Sequence, residues 1–454
     1  MTLLAAQRDM VQRSMPMRVT GRVVGVTGLT VQVEGLPLPV GSMCVIHRRN
    51  GTLVDAQIVG VSDERVILMT LQDPQGVGCR DAVVSTTAMQ TVAVGRQMLG
   101  RVFNGLGQQI DDKPPFTVEA HYPVFADAPP ALERPPINRP LGTGIRAIDA
   151  LNVVGTGQRM GIFAGTGVGK SVLLGMIARF ATADVIVVGL IGERGREVGD
   201  FIRNQLGEEG MRRSVVVVST SDQSPVLRVR ACFLATAVAE YFRDQGKDVL
   251  LLMDSTTRMA MAQRQIGLAA GEPPATKGYP PSVFAMLPRL LERAGRTESG
   301  SITGLYTVLV EGDDISEPIS DAVRGTLDGH LWLSRELANA GHYPAVSVLD
   351  SISRVMVDVA DDEHLEAARS VRRVLGIWKD IEDLVNIGAY AKGTSVEFDV
   401  AVAMKPRIDA ALRQNMNDCV EFGESRDAVI ALHAEIEAMR EELSTRSAEP
   451  EKVA

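Results

Sequence analysis

The sequence predicts an α/β protein in three parts: an N-terminal β-barrel, a central parallel-sheet domain and a C-terminal helical domain. Three observations predict it. Between Arg18 and Thr91, short β-rich runs such as MRVTGRVVGVTG, LTVQVEG, MCVIHRR and RVILMTL are punctuated by Gly, Asn-Gly or Ser-Asp-Glu turns. Closely spaced short strands of this kind read as a small antiparallel barrel. From about 92 to 361, continuous apolar, β-branched runs alternate with helical stretches, the pattern of a parallel sheet buried on both faces. Beyond Asp361 the strand pattern stops and helical spacing takes over.

Composition narrows the classes. At 454 residues the chain is long enough for two or three domains with a substantial core. A net charge of −9 and a pI near 5.4 argue against a bulk nucleic-acid binder. The barrel also has few aromatics to stack bases. Cys44, Cys79, Cys232 and Cys419 lie too far apart for a metal or redox spacing. They suit a reducing cytoplasm, with burial expected for each. With no signal-like opening and no apolar run of membrane-spanning length, a cytoplasmic protein, or one peripheral to a membrane, is expected.

Taken in order, residues 1–17 predict one short helix. Leu3, Leu4, Met10 and Val11 share a face and Pro16 ends it, which suits docking or a partner. The barrel occupies 18–91. Residues 92–141 are rich in Gly and Pro and read as an ordered connector into the central domain, which is placed at 92–361. There, MGIFA, ADVIVVGLIGE, RSVVVVSTSD, KDVLLLMDS, ITGLYTVLVEG and GHLWLSR are strands, and GERGREVGDFIRNQL and PVLRVRACFLATAVAEYFRDQG are helices. Residues 362–446 form the helical domain. Val429, Leu432, Ile436, Met439 and Leu443 make a stripe that fits packing on a neighbouring helix better than a coiled coil. The tail after Ser444 reads as disordered, with 447–454 outside the domain.

The chemistry centres on MGIFAGTGVGKS, residues 160–171. A strand runs into Gly165-Thr166-Gly167-Val168-Gly169, and Lys170-Ser171 opens a helix. Glycines let backbone N–H groups turn onto phosphate oxygens, and the helix dipole favours the anion. Lys170 is placed to reach β- and γ-phosphates and Ser171 to bind Mg²⁺. Ala164 stands where the strict motif has Gly, which leaves the turn intact.

Asp254 ends the buried strand KDVLLLMDS, where a carboxylate orients Mg²⁺ through its water shell. Glu193 ends another strand, at the sheet edge where ligands gather, and is the candidate to position the attacking water. Arg194 is placed to hold a carboxylate or a phosphate, and Glu197 to assist the metal shell. In HYPAVSVLDSISR, Tyr343 before Pro344 suits stacking on a base. Arg354 offers a guanidinium fork to a transferring phosphoryl group. Arg258 is the next cation to consider for that role.

FAGTGVGKS, GLIGERGREV, the long stretch from DSTTRMAMAQRQ to LLERAG, and YTVLVEGDDISEPISDAVRGTLDGHLWLSREL resemble the flagellum-specific ATP synthase family. These are the flagellar and type III protein-export ATPases, relatives of rotary ATP synthase catalytic subunits. The resemblance covers about 18–420. It implies a β-barrel, a phosphate-loop (RecA-like) ATPase domain and a helical C-terminal domain, assembled as a homohexamer with active sites between subunits.

By the same resemblance, Lys170 and Ser171 bind phosphate and Mg²⁺, Glu193 is the catalytic carboxylate and Asp254 the metal-shell acid. Arg354 matches an arginine finger acting on the adjacent subunit's nucleotide, and Tyr343 an adenine-side aromatic. Asp313 and Asp314 match a loop facing a central stalk. The implied cofactors are ATP and Mg²⁺. The implied partners are regulator and stalk proteins, an export gate at the inner face of the cytoplasmic membrane, and secreted proteins with their chaperones; no nucleic acid is expected.

Asn-Gly-Leu-Gly at 104–107 departs from the family's Asp-Gly-Leu-Gly, and the N-terminal segment is shorter than many members carry. GERGREV and GAYAKG favour the export branch, and the flagellar side of it is expected. Two other readings share the ATP site. The absence of an acidic DELSEED-like stretch counts against a proton-driven synthase subunit. Acidity and scarce aromatics count against an RNA-translocating hexamer.

Overall fold

The computed structural model describes residues 19–62, 65–87, 90–310, 312 and 317–448. The predicted helix at 1–17 and the acidic pair Asp313–Asp314 lie outside the described residues.

Six strands close the N-terminal barrel: β1 (Thr20–Thr27), β2 (Thr30–Glu34), β3 (Met43–His47), β4 (Leu53–Ser62), β5 (Arg65–Thr70) and β6 (Ala82–Thr87). Their order is β1-β2-β5-β4-β3-β6, and every neighbouring pair is antiparallel. Alternation does the sorting. In β3, Cys44 and Ile46 point inward and meet Val31, Val33, Ile58 and Leu68 in a dry interior. At Gly21 a Cβ would stand 2.6 Å from Val33 Cγ1, so the backbones approach there only because the residue is glycine.

The second part is organised by eight strands: β7 (Arg101–Asn104), β8 (Arg159–Ala164), β9 (Val185–Ile191) and β10 (Ser214–Ser219), then β11 (Asp248–Asp254), β12 (Ser301–Leu309), β13 (Gly329–Leu333) and β14 (Val346–Ser353). They lie in the order β14-β13-β8-β12-β11-β9-β10-β7, parallel throughout except β14, and a ninth, two-residue strand, Gly295–Arg296, pairs antiparallel with β12 off this path. Successive side chains face opposite layers. Leu250 and Leu252 enter the core shared with the C-terminal helices, and Leu251 enters the other. That second layer contains helix Pro225–Asp244, which begins with Ser224 as N-cap and Pro225 at its first position.

Four features correct the sequence reading. The connector supplies an edge strand of the sheet, β7, too short and mixed to stand out as an apolar run. The sheet is not wholly parallel, because the chain turns back after β13 and lays β14 antiparallel at the opposite edge. The stretch after Glu193 is not one regular helix: Gly195–Asp200 is followed by a π-helical turn, Phe201–Leu206, and a new helix from Gly207. Cys44 and Cys232 are buried, whereas Cys79 and Cys419 are exposed.

Among the remaining helices we label α1 (Arg146–Leu151), α2 (Lys170–Phe180), α3 (Thr256–Ala269), α4 (Asp362–Asn386), α5 (Val396–Leu412) and α6 (Phe422–Ala448). Val429, Leu432 and Ile436 of α6 are buried, and the helix packs on α1, α4 and α5 as a bundle neighbour. It runs to Ala448, past the expected end at Ser444.

Candidate active site

Parallel strands bring their C-terminal ends to one edge, and the candidate residues collect there. Register places Ala164 beside Leu309, Met253 beside Tyr306, and Leu190 beside Asp254. From Ala164 the chain enters Gly165–Gly169 and then α2. Gly167 and Gly169 have φ of 81° and 89°, the left-handed region that only glycine enters without strain. Thr166 is pinned through its carbonyl, which accepts from Arg335 Nη1 at 3.2 Å. Ser171, in the first turn of α2, is exposed beside the loop.

Lys170, Glu193 and Asp254 converge. Lys170 Nζ donates to Asp254 Oδ1 and lies 3.9 Å from Glu193 Oε1. Asp254 Oδ1 also accepts 2.7 Å from the Thr307 hydroxyl, on the neighbouring strand. The Lys170, Glu193 and Asp254 side chains are 11%, 16% and 4% exposed, so little water screens them. Burial pushes the Glu193 carboxyl up to about 7. The Asp254 charge adds to that rise, Lys170 opposes it, contact with Glu197 adds, and Arg258 opposes. A carboxyl poised there can take or give a proton near neutrality.

Arg258, on α3, joins this group. Its stem fills the space over Gly192, where a Cβ would stand 2.8 Å from Arg258 Cβ. Its Nε is buried and has no hydrogen-bond partner among the described residues. Two other candidates are placed differently. Arg194 is 81% exposed and, among the described residues, its side chain pairs with Glu197 at 3.9 Å and not with the phosphate loop. Arg354 is at the far end of the sheet: its N–H donates to Asp328 O, and Asp328 in turn bonds Arg159 at the start of β8. Six residues of β8 then separate it from its own phosphate loop, roughly 20 Å.

A cleft of about 400 Å³ adjoins the loop on the other side. Tyr343 stands at its mouth, 46% exposed, and Gly169 lies close enough that a Cβ would come within 3.4 Å of the ring. Val172, Met176, Leu333 and Met416 supply apolar walls, and Gln414 and Asn415 complete them. The sequence reading missed this C-terminal contribution and Thr307. A hydroxyl inside the apolar strand GLYTVLV was a usable signal for Thr307. Nothing local marks Gln414–Met416, which reach the loop only through the packing of α5.

The donor set fits magnesium. Ser171 and the carboxylates of Asp254, Glu193 and Glu197 are hard oxygen ligands. Among the described residues there is no cluster of three or more His, Cys, Asp or Glu side chains able to cage a metal.

The ATP synthase alpha/beta family, nucleotide-binding domain, matches residues 144–353, and the T3SS EscN ATPase C-terminal domain matches 360–431. The flagellum-specific ATP synthase of Treponema pallidum is 50% identical over 95% of this chain and 96% of its own length. The type 3 secretion system ATPase of Xanthomonas euvesicatoria is 49% identical over 86% and 88%. The chain belongs to the flagellum-specific and type III secretion ATPase family. Among solved structures, the assembled ATPase EscN of enteropathogenic E. coli superimposes with a TM-score of 0.86 at 40% identity, covering 91% of this chain and all of that one. EscN in complex with its central stalk EscO gives 0.84 at 39% identity with the same coverage. As a member of this family, the chain is an ATP-hydrolysing enzyme of protein export. Among its described residues, no helix of this export ATPase is long and apolar enough to cross a membrane.

Proposed function

We propose that the chain hydrolyses Mg-ATP at the interfaces of a homohexamer and so drives protein export, on the flagellar side of the family. The meeting of Lys170, Glu193 and Asp254 beside the glycine loop carries this reading. Backbone N–H groups of Gly165–Gly169 receive the phosphates, and Lys170 leaves Asp254 to neutralise them. Ser171 would hold Mg²⁺, with Asp254 and Glu197 in its water shell; the bound ion withdraws charge from the phosphoryl oxygens. Glu193 orients a water and holds its proton as the γ-phosphoryl group transfers. Tyr343 stacks on the base.

Arg354 is exposed, and no contact of its side chain with its own phosphate loop is available across the sheet. Acting as an arginine finger, it serves the site of the next copy, which is why the enzyme needs assembly. Arg258 flanks Glu193 as the inner cation, and Arg194, exposed and turned to Glu197, stays at the rim of the site. Regulator and stalk proteins, a membrane export gate, and secreted proteins with their chaperones are the partners this reading implies. The place of work is the cytoplasm, at the inner face of the membrane.

Phosphate release and nucleotide affinity test the site. Lys170→Ala is expected to lose both, whereas Glu193→Gln keeps ATP binding and loses turnover. Wild-type turnover in Glu193→Gln removes Glu193 from its role.

A further inference from the structure

The last carbonyls of a helix need donors from elsewhere. At the end of α5 they come from Arg146, whose Nη1 donates to Ala411 O at 3.0 Å and Arg413 O at 3.1 Å. The next residue, Gln414, is 6% exposed and fully engaged. Its Oε1 accepts from Arg146 N at 2.8 Å, and its Nε2 donates to Gly144 O at 2.7 Å and Asp418 O at 2.8 Å. Its backbone N–H donates 2.9 Å to Tyr343 O. The Thr143–Gly144 loop on which it rests is itself fastened: fully buried Asp149 accepts from Thr143 N and Gly144 N, both at 3.0 Å. Asn415, the other polar wall of the cleft, sends its N–H and its side-chain amide to Asp418 Oδ2, at 3.1 and 3.0 Å.

Both donors of the Gln414 amide are therefore committed to the protein, and the Asn415 amide is turned onto Asp418. A base entering the cleft meets mainly apolar and aromatic surface, so its fit depends on where Tyr343 and Met416 stand. Both positions trace to Gln414: its main-chain N–H holds the Tyr343 carbonyl, its side chain closes the turn onto Asp418, and the side-chain bonds to Arg146 and Gly144 fix the backbone from which both are made.

We propose that Gln414 is a positioning residue for the reaction, locking the Asn415–Asp418 turn and the Tyr343 carbonyl to the Thr143–Gly144 loop and so setting the slot in which the base stacks. This rests on the reading of the site as an ATP site. Gln414 does not touch the base; it acts through Tyr343 and Met416.

Inorganic tripolyphosphate, which has phosphates and no base, separates the two halves of the site. The variant Gln414→Met keeps the side chain's size and the main-chain bond to Tyr343, and loses the three side-chain bonds that hold that backbone in place. It is expected to raise KM for ATP on the order of tenfold, the scale of one lost base stack. At saturating ATP, kcat stays within about twofold, and the inhibition constant for tripolyphosphate is unchanged. Gln414→Glu keeps the acceptor for Arg146 and loses both donors, and is expected to follow the same split; it carries the test if the Met variant fails to fold by circular dichroism. In a Tyr343→Leu background, Gln414→Met is expected to cost less than about threefold, because both changes spoil one stack. The proposal is overturned if tripolyphosphate affinity falls along with that for ATP, if kcat falls at unchanged KM, if KM stays at the wild-type value, or if the two losses multiply. Failure of the wild type to bind ATP at all would instead condemn the site reading.

Discussion

Lys170 and Asp254 form an ion pair across the C-terminal edge of the sheet, and Thr307 fastens the same carboxylate oxygen at 2.7 Å. The lysine of the phosphate loop is thus held over the spot where strands β8, β11 and β12 end, with Glu193 3.9 Å away. The pair keeps the lysine charge at the edge where a triphosphate would enter, and the lysine exchanges the carboxylate for phosphate oxygens when one arrives.

The raised Glu193 carboxyl makes the free enzyme sensitive to pH. As the base it must be ionised, so kcat/KM is expected to rise with pH along a limb centred near 7. A flat profile between about pH 6 and 8 would exclude that role. Stability moves the other way. The folded value lies above the ordinary carboxylate range, so the protonated form favours folding, and this contribution is lost as pH climbs from that range through about 7. Glu193→Gln should accordingly gain in Tm over the wild type at pH 8 and not at pH 5.

Arg354 separates a shared site from a self-contained one. Lys170→Ala and Arg354→Ala are each expected to be inactive, the second by on the order of 10³-fold in rate with ATP binding preserved. Mixed and allowed to exchange, some interfaces pair an intact loop with an intact Arg354, and activity should return. Mixed oligomers confirmed by tagged co-purification that stay inactive would shift the role to another cation, Arg258 first.

The Arg293–Glu240 pair tests what holds the second core layer together. Arg293 is wholly buried; its Nε donates to Glu240 at 2.8 Å and its Nη1 to Val124 O at 2.6 Å. Arg293→Met strands a buried carboxylate and is expected to cost about 3–5 kcal/mol in denaturant unfolding. Adding Glu240→Leu should recover most of that loss. Equal stability of the single and double variants would show that the bond to Val124 matters more than the pair.

Local sequence determined the parts whose signals are local. The glycines of 165–169, the lysine behind them and the apolar run before them specify strand, loop and helix, because each conformation depends on residues only a few positions apart. Strand-ending Asp254 and Glu193 were legible for the same reason, and the short, turn-bounded runs of 20–87 announced a barrel. Tertiary structure decided which strand ends share an edge, and therefore that Asp254, not Glu193, holds Lys170 in this state. It also placed Arg354 a strand length from its own loop and brought Gln414, 244 residues after Lys170 in the numbering, to the base cleft. Such relationships arise from the packing of whole strands and helices around two cores. No window of sequence contains both partners, so only the folded chain brings them together.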